Sequence, residues 1–137
     1  MTHIRSSLAV SKMKYSLLFL LFLILIGCSS KITEEDLIGG YWIGTAGYQD
    51  GKPEGEPYCL YYVIAGLEFK DEETVYVEGY EKNFEYVLED GKNGMKIIFS
   101  DENHYDSYYI DKVSENEIGL VGGTEMKKEE SCYLERQ

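Results

Sequence analysis

The 137-residue sequence has few basic residues, little helix-type periodicity and no recognisable catalytic motif. Each of these shortages excludes a class of structure, partner or activity. Only 13 lysines and arginines stand against 25 acidic residues, which disfavours nucleic acid and anionic lipid surfaces as partners because both require clustered positive charge. No serine lies in a nucleophile elbow, no cysteine is paired with a nearby histidine, and no glycine-rich phosphate loop occurs. The sequence therefore predicts a non-enzymatic protein that uses no cofactor and binds no nucleic acid.

The negative charge lies entirely after residue 27. The first 27 residues contain Arg5, Lys12 and Lys14 and no acidic residue, so the rest of the chain carries a formal charge of −15. Such a charge favours solubility, and any charged partner that it attracts is cationic. Disorder is not expected in this region, because it holds 12 of the 13 tyrosines, the single tryptophan and three phenylalanines.

The N-terminal segment has the organisation of an export signal. Two lysines precede ten consecutive apolar residues, 17–26. This run is too short to span a bilayer, which needs about 20 residues, but it is typical of the hydrophobic part of a signal peptide, and Gly27 is the small residue that a signal peptidase requires before its cleavage site. Starts at Met1 and at Met13 give the same mature protein.

The tetrad Leu25-Ile26-Gly27-Cys28 resembles the bacterial lipobox, whose cysteine is acylated and becomes the new N-terminus. The resemblance implies that residues 1–27 are a cleaved signal peptide and that Cys28 carries a diacylglycerol thioether, often with a further fatty acid such as palmitate on its amine. Two or three acyl chains hold a protein stably on a membrane, at about 0.8 kcal/mol per buried methylene. The alternatives are an uncleaved anchor and a secreted protein with a coincidental cysteine.

The lipobox resemblance also implies where in the cell the protein is located. An acylated Cys28 places the protein in the bacterial cell envelope, lipid-anchored and outside the cytoplasm. If the organism has two membranes, Ser29 in place of an aspartate after the cysteine indicates the outer one. Residues 28–38 then form the acylated cysteine, a short tether and a helical turn, in which Thr33 is the expected N-cap and Asp36 occupies the capping-box position.

Two further cysteines, Cys59 and Cys132, follow Cys28. An even pair in an oxidising compartment predicts a disulfide, which would close a loop of roughly 70 residues and contribute about 4 kcal/mol to stability. The alternative is two buried free thiols.

Short β-rich runs recur between turn signals throughout residues 39–137, which predicts an all-β antiparallel domain. Short connections favour an up-and-down order, because parallel strands would need crossover helices. The most hydrophobic run is 58–69, which we expect to be the central strand, with a bulge or bend at Gly66. The eight predicted strands are 40–48, 58–69, 74–80, 84–89, 95–100, 107–113, 118–122 and 131–136.

The segment 37–45, with Gly40-Tyr41-Trp42, resembles the start of lipocalin-like barrels, in which a short helix leads into Gly-x-Trp. The resemblance implies that residues 39–137 form a small antiparallel up-and-down lipocalin-like β-barrel of about eight strands. It also implies that Arg136 stacks on Trp42 at one barrel end as a cation–π contact. Because the strands are short, we expect a packed or nearly packed interior, although eight strands can enclose one small ligand.

Two functions fit such a barrel. In the first, a small apolar or aromatic ligand binds in the barrel, with Tyr62, Tyr86 and Tyr108 as candidate contacts. In the second, the acidic and tyrosine-rich surface binds a cationic protein, as an inhibitor or immunity-type lipoprotein would. A purely structural role in the envelope is the third possibility. No metal site is predicted, because the run 101–106 around His104 lacks the spacing of a calcium loop and is expected to be a solvated turn.

Overall fold

The computed structural model describes residues 31–137; the predicted signal peptide and Cys28 lie outside the described residues. Within the described part, no helix has the length and apolar character needed to cross a membrane. The helices are α1 (Glu34–Leu37) and α2 (Tyr61–Ala65), with 3₁₀ turns at Glu78–Tyr80 and Glu125–Lys127. The strands are β1 (Trp42–Ala46), β2 (Tyr48–Gln49), β3 (Lys52–Pro53), β4 (Leu67–Phe69), β5 (Thr74–Val77), β6 (Lys82–Gly91), β7 (Gly94–Ser100), β8 (Tyr105–Ser114), β9 (Glu117–Gly122) and β10 (Ser131–Arg136).

Eight of these strands form a closed antiparallel barrel in the order β1-β10-β9-β8-β7-β6-β5-β4. Apart from the small β2–β3 hairpin, each strand pairs with its neighbours along the chain, so the predicted up-and-down barrel is confirmed. Closure is made by β1 against β10, where Trp42 lies opposite Arg136, and by β1 against β4. The short N-terminal helix is also confirmed, with Thr33 and Asp36 forming the capping box of α1.

Side-chain alternation in β6 shows why the chain closes in this way. Phe84 and Tyr86 point inward and are buried, whereas Glu85 and Glu89 point outward and are exposed. An antiparallel strand with one apolar and one charged face buries the first and leaves the second in water. The barrel therefore has an apolar core inside and carboxylates outside.

The prediction of a central strand over 58–69 is wrong. Only Leu67–Phe69 forms a strand, and Tyr61–Ala65 forms helix α2. Tyr62 and Val63 enter the core while Tyr61 stays exposed, because the helix lies across one mouth of the barrel and needs an apolar side to cover it. The chain does turn at Gly66, where φ is +145° and a Cβ would lie 2.5 Å from the Tyr41 ring.

The predicted disulfide between Cys59 and Cys132 is confirmed, with the two Cα atoms 5.9 Å apart. It joins the segment just before α2 to β10. Cys132 is fully buried. The bridge therefore holds the helix that covers one mouth of the barrel to the strand that closes the barrel wall.

Candidate functional site

The interior of the barrel is lined by buried apolar side chains of the protein. The largest fully buried ones are aromatic, and they contact one another through tilted and edge-on ring pairs. Tyr62 lies 5.1 Å from Phe84, and Phe69 lies 4.8 Å from Tyr86, between ring centroids. Small up-and-down barrels commonly fill their interior in this way. The buried ring pairs agree with a packed or nearly packed interior, which stays a prediction.

All three tyrosines predicted as ligand contacts lie in this core. Tyr62, Tyr86 and Tyr108 are at most 3% exposed, and each hydroxyl is hydrogen-bonded within the protein. Tyr62 donates to Asp106 at 2.7 Å, and Tyr86 donates to the carbonyl of Asp71 at 2.6 Å. They act as core residues with satisfied hydroxyls, and their role as ligand contacts stays a prediction.

Tyr108 connects the core to two covering segments. Its hydroxyl accepts a hydrogen bond from the Leu60 amide at 3.1 Å and donates one to Glu130 at 3.2 Å. Burial, together with the nearby Glu130 carboxylate, raises the pKa of Tyr108, and burial together with Asp106 raises the pKa of Tyr62. Both phenols therefore stay protonated well beyond their usual range.

The barrel end that carries α1, called here the α1 end, is closed by Trp42 and Arg136. Trp42 is fully buried, and its indole N–H donates to the carbonyl of Leu37 at 2.9 Å. The guanidinium carbon of Arg136 lies 4.4 Å from the centre of the Trp42 ring, the arrangement that the lipocalin-like resemblance implies. The guanidinium also donates to four backbone carbonyls, those of Asp36, Ile38, Gly39 and Glu115.

Replacing Arg136 with alanine should lower the free energy of unfolding by about 3 kcal/mol, since charge-assisted hydrogen bonds and a cation–π contact are lost together. Urea denaturation measures this change. Arg136→Lys is the matched control. It should recover only part of the lost free energy of unfolding, because lysine keeps the positive charge but not the planar guanidinium with its several N–H donors. If Arg136→Lys were as stable as the wild type, the role assigned to the Arg136 guanidinium would be contradicted.

The opposite end, called here the α2 end, comprises residues 58–66, 78–82, 101–106 and 123–130. It carries five of the seven large apolar side chains that are exposed in residues 31–137, namely Tyr58, Tyr61, Tyr80, Tyr105 and Met126. Single exposed apolar residues are ordinary, but a group at one place indicates a contact surface.

Contacts between the segments bring several of these side chains together. Tyr58 and Met126 line the same groove of about 260 Å³. Tyr80 lies 5.0 Å from His104, between ring centroids, and His104 directly precedes Tyr105. Tyr61 packs beside Gly79, next to Tyr80. Tyr58 and Met126 therefore form one contact group at the α2 end, and Tyr61, Tyr80 and His104 form another.

The same end is acidic. Its four segments contain eight acidic side chains and three lysines. All three lysines are already paired with carboxylates of this end: Lys82 with Asp101 at 2.8 Å, Lys127 with Asp106 at 2.6 Å and Lys128 with Glu125 at 3.7 Å. Carboxylates such as Glu81, Glu102 and Glu129 make no ion pair within residues 31–137. Acidic residues also occur at the α1 end, so the exposed aromatic rings, not the charge, distinguish the α2 end.

The histidine of the run 101–106 belongs to this surface. The Asp101 carboxylate contacts Nδ1 of His104 at 2.7 Å and accepts hydrogen bonds from the amides of Asn103 and His104. Together with Lys82, these bonds hold the pKa of Asp101 well below its usual range. The run forms a turn held by its own carboxylate, and it supports His104 against the ring of Tyr80.

The exposed side chains of the α2 end are not among the site residues predicted from the sequence. Tyr58 and Tyr61 fall in the run 58–69 that the sequence predicts as a strand, and Met126 lies in the charged segment before the last strand. Exposed tyrosine in excess of what a small core needs was the available signal. It does not show which rings are outside, because that depends on four segments far apart in sequence.

Comparison of the chain with protein-family models, with curated proteins and with solved structures finds no match. The closed eight-stranded antiparallel barrel is therefore established by the structure itself, and the family resemblance stays a prediction from the motifs at residues 25–28 and 40–42.

Proposed function

We propose that this chain is a lipid-anchored lipoprotein of the bacterial cell envelope that binds a cationic protein on its surface and has no catalytic activity. The binding part of the proposal is supported by the contrast between a barrel interior lined by large buried aromatic side chains and an acidic, tyrosine-rich α2 end. Exposed tyrosine supplies contact area at low entropic cost, and uncompensated carboxylates attract positive charge. Both features suit a protein partner of opposite charge.

The other function, a small apolar ligand inside the barrel, is less well supported. Tyr62 and Val63 of α2 lie in the mouth and are buried in the core. A ligand of ordinary size needs a cavity of several hundred Å³, so it would have to displace α2, which the Cys59–Cys132 bridge retains. Saturable uptake of an apolar fluorescent probe by the full-length protein would favour this function.

The anchor is tested by replacing Cys28 with serine. We expect the wild-type chain to incorporate labelled palmitate and to sediment with the membranes, and Cys28→Ser to lose the label and leave the membrane fraction, because the acyl chains supply the membrane affinity. Cys59→Ser is the matched control and should keep the label. A Cys28→Ser protein that stays labelled and membrane-bound would contradict the anchor.

The binding part is tested by titrating the full-length protein, in nonionic detergent, with a short peptide of alternating arginine and glycine. Binding should weaken markedly from low salt to about 0.15 M salt, where charges are screened beyond about 8 Å. The matching glutamate–glycine peptide should not bind. Equal binding of the two peptides, or no binding of the arginine peptide at low salt, would contradict a cationic partner.

A further inference from the structure

We propose that the α2 end is the docking face for the cationic partner, and that it points away from the membrane. This inference rests on the proposed function and adds where the partner binds and from which side it approaches. The partner is a protein segment that presents arginine or lysine side chains to exposed tyrosine rings and carboxylates.

The position of the tether gives the orientation. Lys31 pairs with Asp90 at 2.8 Å, near the end of β6, and α1 follows directly. The described chain therefore enters the barrel at the α1 end. Only three residue steps separate Cys28 from Lys31, a reach of at most about 11 Å. An acylated Cys28 thus keeps the α1 end near the bilayer and leaves the α2 end facing outward.

The exposed tyrosine rings and the carboxylates of the α2 end favour a cationic protein segment as the binding partner. Tyr61 and Tyr105 are 75% and 74% exposed, and the faces of such rings attract ammonium and guanidinium groups. The lysines of this end are paired internally, so the carboxylates that are left over set its charge. An anionic lipid surface or an acidic protein would be repelled, and a second copy of this chain would meet the same negative charge.

The disulfide makes this face preorganised. It holds the segment before α2 to β10, and the hydrogen bond from Leu60 to Tyr108 at 3.1 Å adds a second attachment. Lys127 and Tyr62 meet on the Asp106 carboxylate, at 2.6 and 2.7 Å, which joins the segment 123–130 to α2. A partner therefore meets backbone segments that are already in place, so little backbone entropy is lost on binding.

The test compares variants of the full-length protein in binding the arginine–glycine peptide. Tyr61→Ala with Tyr105→Ala should weaken binding about tenfold or more, as truncation of central aromatic contacts does. The double change Tyr61→Phe with Tyr105→Phe should bind like the wild type, because the ring face is kept. Tyr61 and Tyr105 are both highly exposed, so the thermal stability of each double variant should stay near that of the wild type. Thermal denaturation of each variant checks this in parallel.

Charge is tested with two double variants of equal net charge. Glu102→Lys with Glu129→Lys changes the α2 end, and Glu72→Lys with Glu115→Lys changes the α1 end; all four side chains are exposed. The first pair should weaken binding about tenfold, in line with the cost of like charges across an interface. Measured at about 0.15 M salt, the second pair should change it by less than about threefold, because charges more than about 8 Å from the peptide are then largely screened.

The outcomes separate this proposal from the function on which it rests. If the wild type binds the peptide and the two charge variants weaken peptide binding equally, the proposal of a cationic partner is supported, and the proposal that the α2 end is the docking face is wrong. If the alanine pair binds like the wild type, the docking face is likewise wrong. If the wild type does not bind, both proposals fail. Self-association that is lost in the alanine pair would assign the face to a second copy of the chain and overturn the proposal.

Discussion

Replacing both Cys59 and Cys132 with alanine should lower the free energy of unfolding by about 4 kcal/mol. The bridge spans 73 residues, and the chain-entropy model gives about 4 kcal/mol for a loop of that length. A small domain has a total stability of about 5–15 kcal/mol, so this single crosslink supplies a large part of it. Urea denaturation of the double variant beside the wild type measures the change.

Chemical reduction of the wild type is the matched control, because it removes the crosslink without changing volume at the buried Cys132. Reduction and the double alanine variant should agree within about 1 kcal/mol, the scale of a small-volume change in a core. A loss below about 1 kcal/mol in both would contradict the role assigned to the bridge. We also expect the amides of Tyr61–Ala65 to exchange faster in the variant, since α2 loses one of its attachments.

Raising the pH above about 10 should destabilise the fold steeply. Burial raises the pKa of Tyr62, Tyr86 and Tyr108 well beyond the usual range, whereas the unfolded chain releases these protons near pH 10. Stability is therefore complete below about pH 10 and falls above it, by about 1.4 kcal/mol per pH unit for each tyrosine. Three buried tyrosines give a combined slope of about 4 kcal/mol per pH unit.

Denaturation by urea at a series of alkaline pH values measures this slope, and the absorbance of phenolate reports the protons released on unfolding. Tyr86→Phe is the control. It should cost about 1 kcal/mol at neutral pH, because the hydrogen bond to Asp71 is lost, and its slope above pH 10 should be lower by about one third. A stability that does not change between about pH 9 and 11 would contradict the tyrosine linkage.

The barrel could be predicted from the sequence because its signals are local. Phe84 and Tyr86 alternate with Glu85 in β6, and short polar connections separate successive strands. The bounds of β10, Ser131–Arg136, agree with the predicted strand residue for residue. The disulfide followed from the number of cysteines together with the predicted compartment. Each of these inferences used residues that are close in the chain or few in number.

Helix α2 and the α2-end surface could not be predicted in this way. The segment 58–69 is rich in tyrosine and β-branched residues, which favour strands, and its apolar content arises from the barrel mouth that it covers. Whether a ring such as Tyr61 or Tyr105 is exposed depends on where the segments 78–82 and 123–130 meet. That meeting is a property of barrel closure, which no local pattern contains.

The pairing of the first and last barrel strands, with Trp42 opposite Arg136, has a consequence for how the protein is made. The barrel cannot close until β10 has been synthesised, because β10 supplies the wall strand between β9 and β1, the Cys132 side of the disulfide and the Arg136 contacts. Contacts of such long sequence separation also form slowly. A chain without β10 would therefore keep an open sheet whose two edge strands, β9 and β1, have unpaired backbone groups.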